Sequence, residues 1–110
     1  MVRKPGEMHQ GEIWWANFPQ PVGRRPVLLL SRAESYSVRA SVTVAQVTTT
    51  VRSIPVEVPL GAADGMPKDC VANLDTIMTI GKSSLDGRIC TLSELKWRQV
   101  VVALKYSFDI

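Results

Sequence analysis

The stretch RRPVLLLS at residues 24–31 decides the fold, because two cations are followed at once by proline and four large aliphatic residues. A continuous apolar run bounded by turn residues is typical of a strand that is buried on both faces. Pro26 can open such a strand because it has no N–H to donate, and it biases Arg25 towards extended geometry. The pattern predicts that Arg25 lies at the mouth of the most buried strand and presents a fixed positive charge to an anion. A salt bridge from Arg25 to a loop carboxylate is the alternative interpretation.

The chain has 110 residues, of which 45% are hydrophobic and 21% charged, and this size supports one domain with one core. Its apolar runs are only a few residues long, so the sequence predicts no membrane span, and no apolar stretch after the first cations indicates a signal peptide. We therefore expect a cytoplasmic protein with a flexible tail over residues 1–10 and a single domain over residues 11–110.

The cysteine and histidine content argues against a metal site. Cys70 and Cys90 have no CxxC spacing, and His9 is the only histidine, which leaves too few ligands for zinc. We expect no metal and no other cofactor. Both thiols are expected to be buried and reduced, with a disulfide as the alternative. No histidine stands near a serine and no glycine-rich loop is suited to a phosphate, so a conventional catalytic triad is not predicted.

The net charge of +3 is mild, and charge alone does not establish nucleic-acid binding. The placement of the cations is more informative, since many lie in or beside predicted loops. There they can gather at one end of a barrel and meet a phosphate backbone, although a scattered, solvated distribution is the alternative. These cations are Arg24, Arg25, Arg32, Arg39, Arg52, Lys68, Lys82 and Arg88.

Short apolar or β-branched runs between turn residues predict six or seven strands. They cover residues 11–18, 26–31, 41–51, 54–58, 70–74, 76–80 and 88–90. Pro59 is expected to end the fourth of these strands, residues 33–40 to form a loop with one helical turn, and residues 61–69 to form a longer loop. This pattern is typical of a mainly β protein, a small and strongly bent antiparallel barrel.

One helix is predicted near the end of the chain. Thr91 and Glu94 have the spacing of a capping box, so the helix is expected to begin at Thr91. Its apolar residues draw one stripe along a helix, which is expected to cover an open end of the barrel; a groove for a partner is the alternative. The stripe consists of Trp97, Val100, Val101, Leu104 and Phe108.

Few polar side chains stand where chemistry is expected, at the ends of strands. Residues 48–50 are three threonines, whose hydroxyl groups could donate to a phosphoryl oxygen, although threonine is also favoured in strands for its shape. Asp75 interrupts an apolar neighbourhood, and a partly buried carboxylate needs a partner such as Arg25 or a backbone donor. A structural salt bridge and a catalytic pair would look the same in the sequence.

Five short segments follow one another along most of the chain. They are GEIW at residues 11–14, RPVLLLS at 25–31, VTT at 47–49 with IPVEV at 54–58, VANLD at 71–75, and GRI at 87–89 before the helix. In this order and spacing they resemble the MazF/PemK toxins, the sequence-specific endoribonucleases of type II toxin–antitoxin systems. No single segment is specific, but the five together make the resemblance strong from about residue 11 to residue 108.

The resemblance implies a homodimeric SH3-like barrel that cuts single-stranded RNA, such as mRNA, without a metal. The substrate's own 2′-hydroxyl would attack the adjacent phosphate and leave 2′,3′-cyclic phosphate and 5′-hydroxyl ends. It also implies growth inhibition, a cognate antitoxin and a DNA-binding complex with that antitoxin. By position, Arg25 would be the catalytic arginine, Thr48 the hydroxyl at the scissile phosphate and Asp75 a carboxylate used in some members. RNA contacts are expected from Thr49, Arg24, Arg52 and Asn17.

One departure from the family pattern leaves the general base open. The turn at residues 19–24 is shorter than in typical members and lacks their glutamate and histidine, and His9 does not match the family histidine. A non-enzymatic toxin of the same fold, like those that inhibit DNA gyrase, is the alternative function. Those toxins end in Trp-Gly-Ile, whereas this chain ends in SFDI and retains Arg25 and Thr48, which favours cleavage. A binding module without catalysis, kept for antitoxin binding or autoregulation, is a third hypothesis.

Overall fold

Residues 8–110 are described by a computed structural model, in which six strands and two helices follow one another. The strands are β1 (Glu12–Asn17), β2 (Arg24–Leu29), β3 (Ser41–Thr48), β4 (Glu57–Leu60), β5 (Cys70–Gly81) and β6 (Leu85–Thr91), and the helices are α1 (Ser35–Val38) and α2 (Glu94–Phe108). Short 3-10 turns lie at Ala62–Asp64 and Lys82–Ser84. The strands form one antiparallel, curled sheet in the order β4-β5-β3-β2-β1-β6. This half-barrel with a C-terminal helix confirms the predicted fold class.

The sheet buries side chains on both of its faces. One cluster contains Ile13, Leu28 and Leu74 together with Val100 of α2. The opposite face holds a second cluster. The neighbouring side chains of Leu28 and Leu29 enter different clusters, and both are fully buried. Burial on both faces of β2, predicted from the apolar run, is therefore confirmed, and each leucine stabilises the fold by roughly 1.5–3 kcal/mol.

The two neighbours of β2 pair with it over different lengths. β1 pairs with β2 as far as Asn17 and Arg24, whereas β3 pairs with β2 only from Val44 to Gln46. Leu30 donates its N–H to the carbonyl of Thr43 of β3 at 2.9 Å. Because backbone nitrogens alternate in direction along a strand, the nitrogen of Pro26, four residues earlier, also faces β3. Proline has no N–H to donate there. The ladder therefore ends before Pro26, and β2 and β3 part to leave an opening in the sheet.

Residues 70–81 form one long strand, not the two strands predicted. Gln46 pairs with Asn73 and Ala45 pairs with Ile77, so β5 contains a bulge that includes Asp75. The Asp75 side chain is exposed, and its carboxylate accepts a hydrogen bond from Ser107 Oγ of α2 at 2.5 Å. The prediction that Asp75 is partly buried is therefore wrong, and the donor to its carboxylate is a side chain of α2 and neither of the two partners expected, Arg25 or a backbone donor.

The C-terminal helix begins later than its sequence suggested. Thr91 pairs with Glu12 as the last residue of β6, and Ser93 is the N-cap, with its hydroxyl accepting the N–H of Lys96 at 3.1 Å. The helix packs against β4 and β5. Within the apolar stripe Val100 is buried, but Phe108 is 59% exposed, so its predicted burial is wrong. No helix in the described part of the chain is long and apolar enough to cross a membrane.

Several strand boundaries in the structure differ from those predicted from the sequence. β4 starts at Glu57 and includes Pro59, which is tolerated because β4 is an edge strand. The loops at 33–40 and 61–69 are confirmed, each with one helical turn. Most of the predicted tail, residues 1–7, lies outside the described residues. Met8, which falls within the predicted tail, is 3% exposed and packs in the second cluster.

Candidate active site

The opening between β2 and β3 leads into a cavity of about 450 Å³, which we call the Arg25 cavity. Its walls come from β1, from the diverging ends of β2 and β3, and from the loop that leads into β5. The lining residues are Trp15, Arg24, Arg25, Pro26, Gln46, Val47, Thr48, Thr49, Met66, Lys68 and Cys70. Four of the residues predicted from sequence, Arg24, Arg25, Thr48 and Thr49, thus line one cavity.

Arg25 lies inside β2, one residue before the proline that ends the ladder with β3. Its side chain is exposed, and Nη1 donates to the carbonyl of Arg24 at 3.0 Å. No carboxylate within residues 8–110 forms an ion pair with this guanidinium. The alternative interpretation, a salt bridge to a loop carboxylate, is therefore not what the described residues form. Arg25 offers an unpaired charge with several N–H donors to an anion in the cavity.

The threonines stand on the opposite side of the opening. Thr48 Oγ1 accepts the N–H of Thr50 at 3.2 Å, and because a hydroxyl also carries a proton, Thr48 can still donate. The chain beyond is held by Glu57, whose carboxylate accepts the N–H groups of Arg52 and Ser53 at 2.9 Å each. Glu57 is only 8% exposed, so it anchors the segment behind the threonines from within the fold.

Other predicted site residues lie outside the lining. Arg52 is exposed and reaches Glu57 through its backbone N–H. Asn17 is exposed at the end of β1, opposite Arg24. Asp75 lies on the bulge of β5 against Ser107. The Arg25 cavity therefore gathers some of the predicted residues and leaves these three elsewhere.

The cations do not gather at one end as expected. Among the described ones only Arg24, Arg25 and Lys68 line the Arg25 cavity. Arg32 and Arg39 line a separate pocket, which also contains Leu30 at the far end of the β2 segment. Two further cations have side-chain partners in the fold: Lys82 Nζ donates to the carbonyl of Tyr36 at 2.7 Å, and Arg88 Nη1 donates to Glu12 at 3.2 Å.

Sequence reasoning missed Trp15, Gln46 and Lys68 as lining residues. Trp15 was placed in a strand rich in aromatics, and Lys68 was counted among the loop cations, but no local pattern brings either residue to Arg25. The sequence contains one feature that could have indicated Trp15: arginine often packs its guanidinium against an aromatic ring, and Arg24 is a predicted site residue. Here the Arg24 guanidinium carbon lies 4.5 Å from the centroid of the Trp15 ring.

The cavity is rich in cations and contains no Asp, Glu or His among its described lining residues. Cys70 lines it, but burial, together with Asp64 and Asp69, raises the pKa of its thiol, so the thiol is neutral at pH 7. Cys70 and Cys90 are both free; Cys70 is buried as predicted, and Cys90 is half-buried. Across residues 8–110 no three His, Cys, Asp or Glu side chains converge as a metal site.

A second charged group, the Glu12 cluster of His9, Glu12, Trp14 and Arg88, lies at the other end of β1. The Glu12 carboxylate is buried and accepts hydrogen bonds from His9 N at 2.8 Å, Trp14 Nε1 at 3.0 Å and Arg88 Nη1 at 3.2 Å. Burial acts to raise the pKa of Glu12, but these donors outweigh it, and the pKa lies below its ordinary value. The carboxylate is therefore ionised and satisfied inside the fold.

The fold and the cationic cavity define a small β half-barrel with a candidate phosphate site. Comparison with known proteins identifies the family: a family model described as PemK-like, MazF-like toxin of type II toxin-antitoxin system matches residues 9–108. The chain belongs to this family, as its five segments predicted.

Individual relatives agree with this assignment. Mycobacterium tuberculosis MazF5, named a probable endoribonuclease, is 33% identical over 101 residues, which cover 91% of this chain and 92% of that protein. Endoribonuclease MazF3 of the same organism is 35% identical over 86 residues, covering 78% of this chain and 84% of that protein.

Two solved structures show the same architecture. The Mycobacterium tuberculosis toxin MazF-mt6 has a TM-score of 0.83 and 32% identity, with 90% of this chain and 97% of that chain covered. A mycobacterial endoribonuclease in complex with its cognate antitoxin has a TM-score of 0.83 and 25% identity, with 94% and 96% covered.

Proposed function

We propose that this protein is an endoribonuclease toxin that cuts single-stranded RNA in the Arg25 cavity. The observation that carries the proposal is the position of Arg25, an unpaired guanidinium in the same cavity as the Thr48 hydroxyl. An exposed cation beside a neutral donor suits an oxyanion such as a phosphate. A non-enzymatic toxin would not require these two groups to meet in one cavity, so cleavage is favoured over the alternative.

In the proposed reaction the RNA supplies its own nucleophile. The 2′-hydroxyl oxygen forms a bond to the adjacent phosphorus, the bond from phosphorus to the 5′-oxygen breaks, and a 2′,3′-cyclic phosphate and a 5′-hydroxyl result. Negative charge grows on the phosphoryl oxygens in the transition state, and preorganised donors aimed at it accelerate the step. Arg25 takes this role, with Thr48 as a neutral donor and Lys68 as a further cation on the cavity wall.

Proton transfer is not assigned to a residue, because the described lining of the Arg25 cavity contains no Asp, Glu or His. The reaction needs a base at the 2′-oxygen and an acid at the 5′-oxygen. Because Asp75 is exposed and bound to Ser107 outside the lining, it has no part in the proposal. Thr49 and Arg24 line the cavity and are proposed RNA contacts, while Arg52 and Asn17 stay predictions from the family resemblance.

The test is digestion of a long single-stranded RNA in excess EDTA, followed by mapping of the fragment ends. We expect cleavage with 2′,3′-cyclic phosphate and 5′-hydroxyl ends. Products with 5′-phosphate ends, or a requirement for magnesium, would overturn the mechanism. The Arg25→Ala variant, purified in parallel, controls for contaminating ribonuclease.

The proposed protein partners are a second copy of the chain and an antitoxin. The proposed substrate is mRNA, and the proposed location is the cytoplasm. The structural relative solved with its cognate antitoxin supports an antitoxin for this chain. An acidic antitoxin segment could compete with RNA for Arg24, Arg25 and Lys68, which line one cavity. Light scattering should give the mass of a dimer at micromolar concentration. A monomer, or an antitoxin complex that still cuts RNA at full rate, would contradict this proposal.

A further inference from the structure

Arg24 is held on two sides at the edge of the Arg25 cavity. Its guanidinium lies over the Trp15 ring, with the central carbon 4.5 Å from the ring centroid. Nη2 donates to the main-chain carbonyl of Asp86 at 3.2 Å and lies 3.6 Å from Oδ2 of the same residue. Trp15 thus supports one face of the guanidinium plane, and Asp86 holds its edge.

Among residues 8–110, the contacts of the Arg24 guanidinium are to Trp15 on one face and to Asp86 at the edge, which leaves the other face open to a ligand. The Arg24 side chain is 49% exposed although it has contacts with both Trp15 and Asp86. Trp15 and Arg24 both line the cavity that contains Arg25, the next residue along β2. A ligand whose phosphate is bound by Arg25 would therefore bring its adjoining groups next to the Arg24 plane.

The chemistry of this arrangement differs from that of Arg25. An arginine with a carboxylate at its edge has part of its charge already balanced, so it is a weaker phosphate ligand than an unpaired one. A guanidinium stacked on an indole is instead a flat, preorganised surface. Unpaired RNA bases commonly stack on aromatic side chains or on guanidinium planes.

We propose that Trp15 and Arg24 form a nucleobase-stacking subsite, in which one unpaired base beside the scissile phosphate lies on the open face of the Arg24 guanidinium. The subsite rests on the proposed RNA cleavage and adds a contact to the base, which Arg25 and Thr48 do not make. Asp86 is a positioning residue for the plane. Because the contact is to a ring face, it holds the strand in place and does not read the hydrogen-bonding edge of the base.

The experiment compares the wild type with Arg24→Lys, which keeps the positive charge and removes the plane. The probe is a short RNA that spans the mapped cleavage site and carries a 2′-deoxy nucleotide at the attacking position, so that it binds without being cut. Matched probes lack one base at each of the flanking positions in turn. Binding is measured by anisotropy at several salt concentrations.

We expect Arg24→Lys to weaken binding of the intact probe by about 5- to 150-fold, the range that corresponds to the loss of one stacking contact to a base. Removing the base at one flanking position should weaken wild-type binding by a similar factor and have little further effect in Arg24→Lys. Such non-additivity marks two groups that contact each other. The salt dependence should not change, because lysine keeps the charge.

Arg32→Lys is the matched control, because Arg32 is an exposed arginine beside a carboxylate, Glu34, and lies outside the Arg25 cavity. It should bind every probe like the wild type. Wild-type affinity in Arg24→Lys, or losses that add at every flanking position, would overturn the stacking subsite while leaving RNA cleavage in place. A wild-type protein that neither binds nor cuts RNA would overturn both proposals.

Discussion

The two ends of β1 hold charged groups that are satisfied in opposite ways. In the Glu12 cluster a buried carboxylate accepts hydrogen bonds from His9, Trp14 and Arg88, so its charge is balanced within the fold. In the Arg25 cavity an exposed guanidinium has only the carbonyl of Arg24 as a partner among the described residues. The same residue type, arginine, therefore stabilises the fold at one end and is left available for a ligand at the other.

This difference separates stability from function in a testable way. A charged group with internal partners stabilises the folded state, and its removal should lower the free energy of unfolding. A charged group held in place without a partner adds little to stability, and its removal should lower the rate of the reaction. Substitutions confined to one region at a time therefore distinguish the two roles.

The largest expected effect belongs to Arg25→Ala. Loss of the guanidinium should lower the single-turnover rate of RNA cleavage by about 10²- to 10³-fold, the usual result of deleting one preorganised transition-state donor. Its melting temperature should stay near that of the wild type, because the side chain is exposed and has no ion pair within residues 8–110. Arg88→Ala is the matched arginine variant and should lose stability but keep its rate. Full activity in Arg25→Ala would end the assignment of the Arg25 cavity.

Glu12→Gln tests the other region, and its effect should depend on pH. The folded-state pKa of Glu12 is lowered, so the unfolded chain binds the proton more readily and the ionised carboxylate stabilises the fold above the unfolded pKa of about 4.3. That contribution is lost as the pH falls through the folded pKa. We expect Glu12→Gln to lower the free energy of unfolding at pH 7 by about 1–3 kcal/mol, with a smaller gap below pH 4.

The measurement for Glu12→Gln is chemical denaturation at several pH values between 3 and 8, covering the window set by the lowered pKa. The cleavage rate per folded molecule should stay unchanged, because Glu12 lies outside the Arg25 cavity. A gap in stability that is independent of pH would contradict the role given to the ionised carboxylate.

Thr48→Val should have a smaller effect on the rate than Arg25→Ala. Valine keeps the shape of threonine and removes the hydroxyl, and a neutral hydrogen bond contributes about 0.5–1.5 kcal/mol, or roughly 2- to 10-fold in rate. Thr79→Val is the control, since the Thr79 hydroxyl contacts Thr43 on another part of the sheet, at 3.3 Å. Equal rates in the two variants would remove Thr48 from the reaction.

The smallest effect is expected for Asp75→Asn. Asparagine can still accept the hydrogen bond from Ser107, and Asp75 lies outside the lining of the cavity, so the rate should remain within about 2-fold. Stability should change by less than about 0.5 kcal/mol, as for most exposed substitutions. A tenfold loss of rate at unchanged stability would restore Asp75 as a catalytic carboxylate, the role that the family resemblance implies for it.

The site was predicted from sequence where the relevant signals are local. Arg25 stands beside Pro26, and a proline has no N–H to donate to a neighbouring strand wherever it occurs. The threonines follow a run with strand periodicity, so their position at the end of a strand could also be predicted from the sequence. Lys68 and Trp15 could not be placed in the same way. Trp15 comes beside Arg25 through the register of the pairing between β1 and β2, and Lys68 does so through a loop from a distant part of the chain.

By itself, then, the sequence determined the buried strand β2, the mainly β class and the order of the motifs. These depend on periodicity and turn chemistry, which act over a few residues. Only the tertiary structure decided which charges are paired. Arg88 meets Glu12 across 76 positions and Asp75 meets Ser107 across 32, while Arg25 meets no carboxylate among residues 8–110. Even the start of α2 followed this rule, since Thr91 has a capping-box partner nearby but pairs instead with Glu12 in the sheet. Long-range pairing thus overrides a local preference wherever burial of the sheet stabilises the fold more than one helix cap does.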